Sequence, residues 1–276
     1  MRTGSKVRRS IAAGPAKVKR RNRLRARSGR AYLRSVLGHR LVIVSDAHLG
    51  DSAPAVESAL LRFLDHAPAL GDALLVNGDL FEFWFTWKHA VPRTAFRVTT
   101  ALTQLARRMP IVMLGGNHDR WGGDFWQRDA GIQFHPLQTR FRIGRREVLA
   151  IHGDAVATSH WSTRALFRLL KHPAVVAGFG ALHPTIGHGL AKLMGQGLGN
   201  ADIDPKVFEA AAARQRLWAE RTLAEDPTLG LVVMGHTHLP ALVAHGTQQY
   251  LNPGAWFDGL RYAIATEDGA ELRAWE

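Results

Sequence analysis

Five short segments of this chain carry residue types that bind divalent cations. They are Asp46-Ala47-His48, Gly78-Asp79, Gly116-Asn117-His118-Asp119, His152-Gly153-Asp154 and Gly235-His236-Thr237-His238. Each follows an apolar run: "RLVIV", "ALLVN", "PIVML", "EVLAI" and "LGLVVM". The stretch "VNGDLFEFW" poses the question most sharply, because a buried-looking strand runs into Asp79 and then into Glu82 among aromatics. A carboxylate in such surroundings is costly unless it is paired or holds a cation. Imidazoles and carboxylates in a chain without cysteine suit Mn, Fe or Zn rather than a soft-metal site. One such segment alone is an ordinary turn. Five in succession, each closing an apolar run, point to a metal centre.

Elements must bring these segments together across almost two hundred residues. The runs before Asp46, Asp79 and Asn117 read as strands, separated by "PAVESALLRFLDHA" with helical spacing and by a helix over about 92–108. Shorter alternating runs follow at "TRFRIG" and "EVLAIHG"; residues 161–226 look mainly helical, and the strand pattern resumes at "LGLVVMGHTH". The C-terminal part reads as short strands joined by turns. This is an α/β core interrupted by a helical insertion, with no internal repeat. In open α/β sheets, sites form beyond the carboxyl ends of strands, which is where all five segments fall. Their glycines allow tight turns and close backbone approach.

The charge is unevenly spread. Residues 1–40 hold fourteen of the 36 Lys and Arg and no acid, so the remaining 22 bases face 23 acids, a net of −1. The basic character belongs to an N-terminal tail, 1–39, expected to be a solvated extension ahead of the 40–276 core, so that deletion of residues 1–36 leaves soluble, active protein. The alternative is that the tail meets an anionic partner such as RNA or a membrane surface. It has neither the apolar run of a signal peptide nor that of a membrane span. The absence of cysteine fits a cytoplasmic enzyme.

The set D-x-H, G-D, G-N-H-D, H-G-D and G-H-T-H resembles the calcineurin-like metallophosphoesterase superfamily from about Arg40 to the C-terminus. The resemblance implies a two-layer β-sandwich flanked by helices and holding two divalent metal ions. It implies that Asp46, His48 and His238 bind one ion, that Asn117, His152 and His236 bind the other, and that Asp79 bridges both. Two ions about 3.5–4 Å apart clamp the attacking and leaving oxygens of a phosphoryl displacement and lower the pKa of water. His118 is then free beside the phosphate, and Asp119 next to it is expected to keep it protonated as a general acid.

The stretch "GDLFEFW" is similar to the G-D-L-F-E-x-W signature of UDP-2,3-diacylglucosamine diphosphatases of lipid A biosynthesis, and the insertion, about 158–226, resembles their lid. That similarity implies a lipid-linked sugar nucleotide as substrate and peripheral association with the inner membrane. Arg164, Phe167, Arg168 and Leu170, on a basic amphipathic helix of the insertion, are the candidate substrate-binding residues. One departure stands out: those enzymes have Arg where this chain has His118, and G-N-H-D is the wider superfamily's form. Rival readings are hydrolysis of another nucleotide, phospholipid or nucleic-acid phosphodiester, and a non-enzymatic scaffold. The near-neutral core argues against a nuclease, and the intact ligand set argues against a scaffold. No obligate protein partner is inferred.

Overall fold

The computed structural model describes residues 36–158, 161–199 and 205–276. In chain order, β1 (Val36–Gly38) and β2 (Arg40–Val44) precede α1 (Pro54–Leu70), β3 (Ala73–Asn77), α2 (Phe96–Leu105), β4 (Ile111–Leu114) and the single turn α3 (Phe125–Arg128). Then come β5 (Gln133–His135), β6 (Gln138–Ile143), β7 (Arg146–Ile151), α4 (Asp154–Ala157), α5 (Trp161–Leu170), α6 (Pro173–Gly180), α7 (Pro184–Gly199) and α8 (Pro205–Glu225). The chain closes with β8 (Leu229–Val233), β9 (Ala241–His245), β10 (Gln248–Asn252), β11 (Arg261–Thr266) and β12 (Ala270–Ala274).

The strands form two six-stranded sheets, ordered β12-β11-β2-β3-β4-β5 and β1-β6-β7-β8-β10-β9. Alternation along β3 shows how they are layered. Ala73 and Leu75 point into a core shared by both sheets, with Leu41, Ile43, Val148, Leu231 and Val233. Leu74 and Val76 point the other way, onto Leu60 and Phe63 of α1 and Leu102 of α2. A strand buried on both faces has no polar side, which is why these runs read as continuously apolar. Outside the second sheet, Leu149, Val232 and Tyr250 pack on Ala219 and Leu223 of α8. The two-layer sandwich flanked by helices is thus the observed architecture.

Register then gathers the chemistry at one edge. β2, β3 and β4 are parallel, with Val44 opposite Val76 and Asn77 opposite Leu114, so Asp46, Asp79 and Asn117 emerge side by side. β7 and β8 are also parallel, with Ala150 opposite Val233. There the Gly235 amide donates to the His152 carbonyl at 2.8 Å, tying the two loops together.

Two details differ from the sequence reading. The core begins before Arg40, because Val36 and Gly38 pair with Arg142 and Ile143 of β6, a strand too short to register as a pattern. The helix anticipated over 92–108 is a 3-10 turn (Arg93–Ala95) running into the shorter α2. Between β7 and β8 the described residues are largely helical, from α4 to α8.

Candidate metal centre

The site begins with the backbone. Among the described residues, the non-glycines with left-handed φ are Asp46, His48, Asp79, His236, His238 and Leu260, from 46° at His48 to 68° at His236. Five of these six are residues singled out as ligands from sequence. Asp and His tolerate this region better than most side chains. Even so, each such residue stores about 1 kcal/mol or more, and persists only where its surroundings over-determine it.

The ligand candidates converge in two groups, and His48 also belongs to a third with Glu82 and His118. Asp46, His48 and His238 place ligand atoms within 4.8 Å of one another, as do Asp79, His152 and His236. Asp79 Oδ2 stands 3.0 Å from His152 Nε2 and 3.9 Å from His48 Nε2, so one carboxylate spans both groups. His238 Nε2 lies 3.5 Å from Asp46 Oδ1. Separations of this size are what ligand atoms about 2.0–2.2 Å from a shared ion adopt.

Two buried atoms make the fit specific. His48 Nε2 and Asn117 Oδ1 are enclosed with no hydrogen-bond partner. Orphaned buried polar atoms cost about 1–3 kcal/mol each, and a cation would satisfy both. The supporting contacts agree. His152 Nδ1 lies 2.9 Å from the Asn77 carbonyl, and donation there leaves Nε2 to face Asp79. His48 Nδ1 lies 2.7 Å from Glu82 Oε2. Outer partners of this kind fix ring orientation and tautomer in metal-binding histidines.

The electrostatics favour positive charge. Burial alone would raise the Asp79 carboxyl, but the imidazoles of His152, His118 and His48 outweigh it and hold Asp79 well below the usual carboxylate range. Burial lowers His152 too, yet Asp79 and Asp46 carry it up to about 10. His236 falls to about 4, through burial and the neighbouring His152, and is therefore neutral and able to ligate.

His118 and Asp119 part company. The Asp119 carboxylate, fully buried, accepts backbone N–H groups of Asp79, Leu80 and Gly116 at 2.7–3.2 Å. It anchors the Asp79 turn and turns away from the His118 ring, contrary to the expected pairing. Glu82 takes that place: His118 Nδ1 lies 3.3 Å from Glu82 Oε1 and 2.9 Å from the Glu82 carbonyl. Burial opposes ionisation of both, but their mutual contact, with Asp79 nearby, carries His118 to about 10 and Glu82 to about 2. The sequence signal for Glu82 was present, an acid three residues after Asp79 amid aromatics, without a partner to give it a role.

The described residues of the insertion meet the site at several points. The side chains of Arg164 and Phe167 lie outside the described residues; Arg168 is exposed and Leu170 half-buried. The described contacts come from elsewhere. Phe179 of α6 packs 4.9 Å from Phe85 and 6.0 Å from Phe83, both on the loop after Asp79. Phe208 of α8 lies 5.9 Å from the His238 ring. Lys171, just beyond α5, reaches Asp154 at 3.6 Å, where the buried Arg120 also donates at 2.7 Å.

Comparison with known proteins bears on this geometry. The family model for calcineurin-like phosphoesterases matches residues 39–240. Proteins named UDP-2,3-diacylglucosamine hydrolase are similar along most of the chain. That of Shewanella baltica is 26% identical over 247 residues, covering 85% of this chain and 97% of that protein. Those of Coxiella burnetii and Salmonella typhi are each 27% identical, over 254 and 238 residues, with 85% of this chain covered and 97% and 98% of theirs.

Proposed function

Since the chain belongs to the calcineurin-like phosphoesterase family, a family of metal-dependent hydrolases, we propose that it hydrolyses the pyrophosphate of UDP-2,3-diacylglucosamine. Water adds across the bridging P–O bond, giving UMP and an acylated glucosamine phosphate. The observation that carries this substrate is that relatives similar over 85% of the chain are named for hydrolysing it.

Asp46, His48 and His238 would hold one divalent cation, Asn117, His152 and His236 the other, and Asp79 both. Their oxygen and imidazole donors favour Mn, with Fe or Zn as alternatives. When bound, such ions act as Lewis acids on phosphate oxygens and bring the pKa of water to about 7. The remaining work falls to the chain. His118, held cationic by Glu82, presents its free Nε2 edge to the phosphate, where it stabilises charge and gives a proton to the departing oxygen. Glu82 holds His48 and His118 together. Phe83, Phe85, Trp87 and Phe179 form an aromatic wall 4.9–6.2 Å apart ring to ring, a dry surface suited to acyl chains.

We place the enzyme in the cytoplasm, docked peripherally on the membrane that holds its substrate. No helix among the described residues is long and apolar enough to cross a membrane. Ile186, Leu190 and Leu193 instead form an exposed apolar stripe along α7, 61%, 40% and 68% accessible. Serine at all three should abolish co-sedimentation with phospholipid vesicles; unchanged binding would refute the docking.

The deciding experiment incubates purified protein and Mn²⁺ with UDP-2,3-diacylglucosamine, an aryl phosphodiester or single-stranded DNA, with chelator as control. Metal-dependent release of UMP is expected. Cleavage of the aryl ester without UMP release would sink the substrate and keep the phosphoesterase. That outcome would give weight to the wider-superfamily form of the third segment, His118 in place of Arg.

A further inference from the structure

Beneath the loops that carry the candidate ligands lies a polar network that contains none of those ligands and no charge. Its centre is Gln215 of α8, a wholly buried side chain on the last helix of the insertion. Gln215 Nε2 donates to the Gly235 carbonyl at 3.0 Å. Its Oε1 accepts from the Thr237 hydroxyl at 3.3 Å and the Tyr250 hydroxyl at 3.2 Å. Asn252 completes the arrangement, donating to the Gly235 carbonyl and to the Thr237 hydroxyl, each at 3.1 Å. Gly235 and Thr237 flank His236, and Thr237 separates it from His238, both histidines in left-handed backbone.

The same amide also rests against the other histidine loop. A Cβ on Gly153 would fall 2.3 Å from Gln215 Nε2, so the residue after His152 is a glycine pressed onto this side chain. One buried glutamine thus touches the loop that carries His152 and the loop that carries His236, which stand 5.3 Å apart ring to ring. Buried polar groups are tolerated when every member of the network is satisfied, and such networks fix one arrangement of what they hold.

We propose that Gln215 is a positioning residue for the His152–His236 half of the metal centre, through which the insertion sets the spacing of two ligand loops it does not otherwise carry. This rests on the metal-centre reading above. Ligand-supporting groups of this kind typically affect metal affinity by about 10–100-fold. The more affected ion should be the one held by Asp79, His152 and His236. The ion held by Asp46, His48 and His238 should be weakened less, since two of its three ligands, Asp46 and His48, follow a strand of the opposite sheet.

The test is titration of chelator-stripped full-length protein with Mn²⁺ by calorimetry, with the exchange-coupled two-manganese signal followed by electron paramagnetic resonance. Gln215→Leu, apolar, of similar size and unable to hydrogen-bond, should bind the ion held by Asp79, His152 and His236 about 10–100-fold more weakly and the other ion with a smaller deficit, with the coupled signal lost at stoichiometric metal. Thr237→Val removes one partner at constant shape and should show a smaller deficit at the same ion; it decides the matter if Gln215→Leu does not fold. Leu223→Ala, in the same helix and equally buried, lowers stability without touching the loops, and its folded fraction should load both ions as the parent does. Two ions of parental affinity in Gln215→Leu, or an equal deficit in Leu223→Ala, would overturn the proposal. A parent protein that binds fewer than two ions would overturn the metal-centre reading, and this inference with it.

Discussion

The strand-end loops and the insertion border the same site, yet they are built on opposite terms. In the loops, Asp46, Asp79 and His152 are almost completely buried, the backbone of five ligand candidates is left-handed, and His48 Nε2 and Asn117 Oδ1 are enclosed without a partner. The described residues of the insertion are largely helical and leave Ile186, Leu190 and Leu193 in solvent. It contributes a few aromatic contacts, one lysine and the Gln215 amide. Exact placement of charge needs rigid, strained and desolvated turns on a packed sandwich. Choice among substrates needs only a surface of the right chemistry, and helices with unpartnered apolar faces provide it.

This contrast can be broken or sharpened by mutation. The largest effect belongs to Asp79, which spans both ligand groups. Asp79→Ala should lose both ions by elemental analysis, and activity with them; retention of one ion would mean that the groups are independent. His118→Ala should keep both ions while turnover falls about 10²–10⁴-fold. Metal loss in that variant would move His118 into the ligand set. Glu82→Gln should cost about 10–100-fold in activity, with weakened metal binding on the His48 side. An effect confined to turnover would assign Glu82 to His118 alone.

The smallest effect tests the insertion. Phe179→Ala should slow the acylated substrate roughly tenfold, the equivalent of about two methylenes at about 0.8 kcal/mol each. An aryl phosphodiester should be cleaved as before. Leu170→Ala, the choice suggested by helical spacing, should do less, because the described ring contacts to the aromatic loop come from Phe179 of α6 and His188 of α7. Equal slowing of both substrates by Phe179→Ala would make that contact structural.

How legible each region was in the sequence follows from the same contrast. The seven ligand candidates could be read because strand ends are marked by apolar runs, and parallel register delivers those ends to one edge. Asp119 was misread because adjacency to His118 suggested contact, whereas its carboxylate turns back onto the amides of Gly116 and Leu80. Glu82 was visible but unassigned, since only the turn after Asp79 brings it under two histidines. Gln215 carried no signal at all. A neutral residue within "AAAARQRLW" gains its role from what α8 packs against.

The left-handed turns have one more consequence. Glycine would adopt φ near 50° at Asp46, His48 or Asp79 without steric penalty. Substituting a ligand with glycine should therefore release about 1 kcal/mol of backbone strain per site, offset by glycine's greater freedom when unfolded and by the contacts the lost side chain made, such as the His118 amide's bond to Asp79. The turns that place the ligands are thus also where this fold stores strain, and they keep it only because the side chains they carry are held in place.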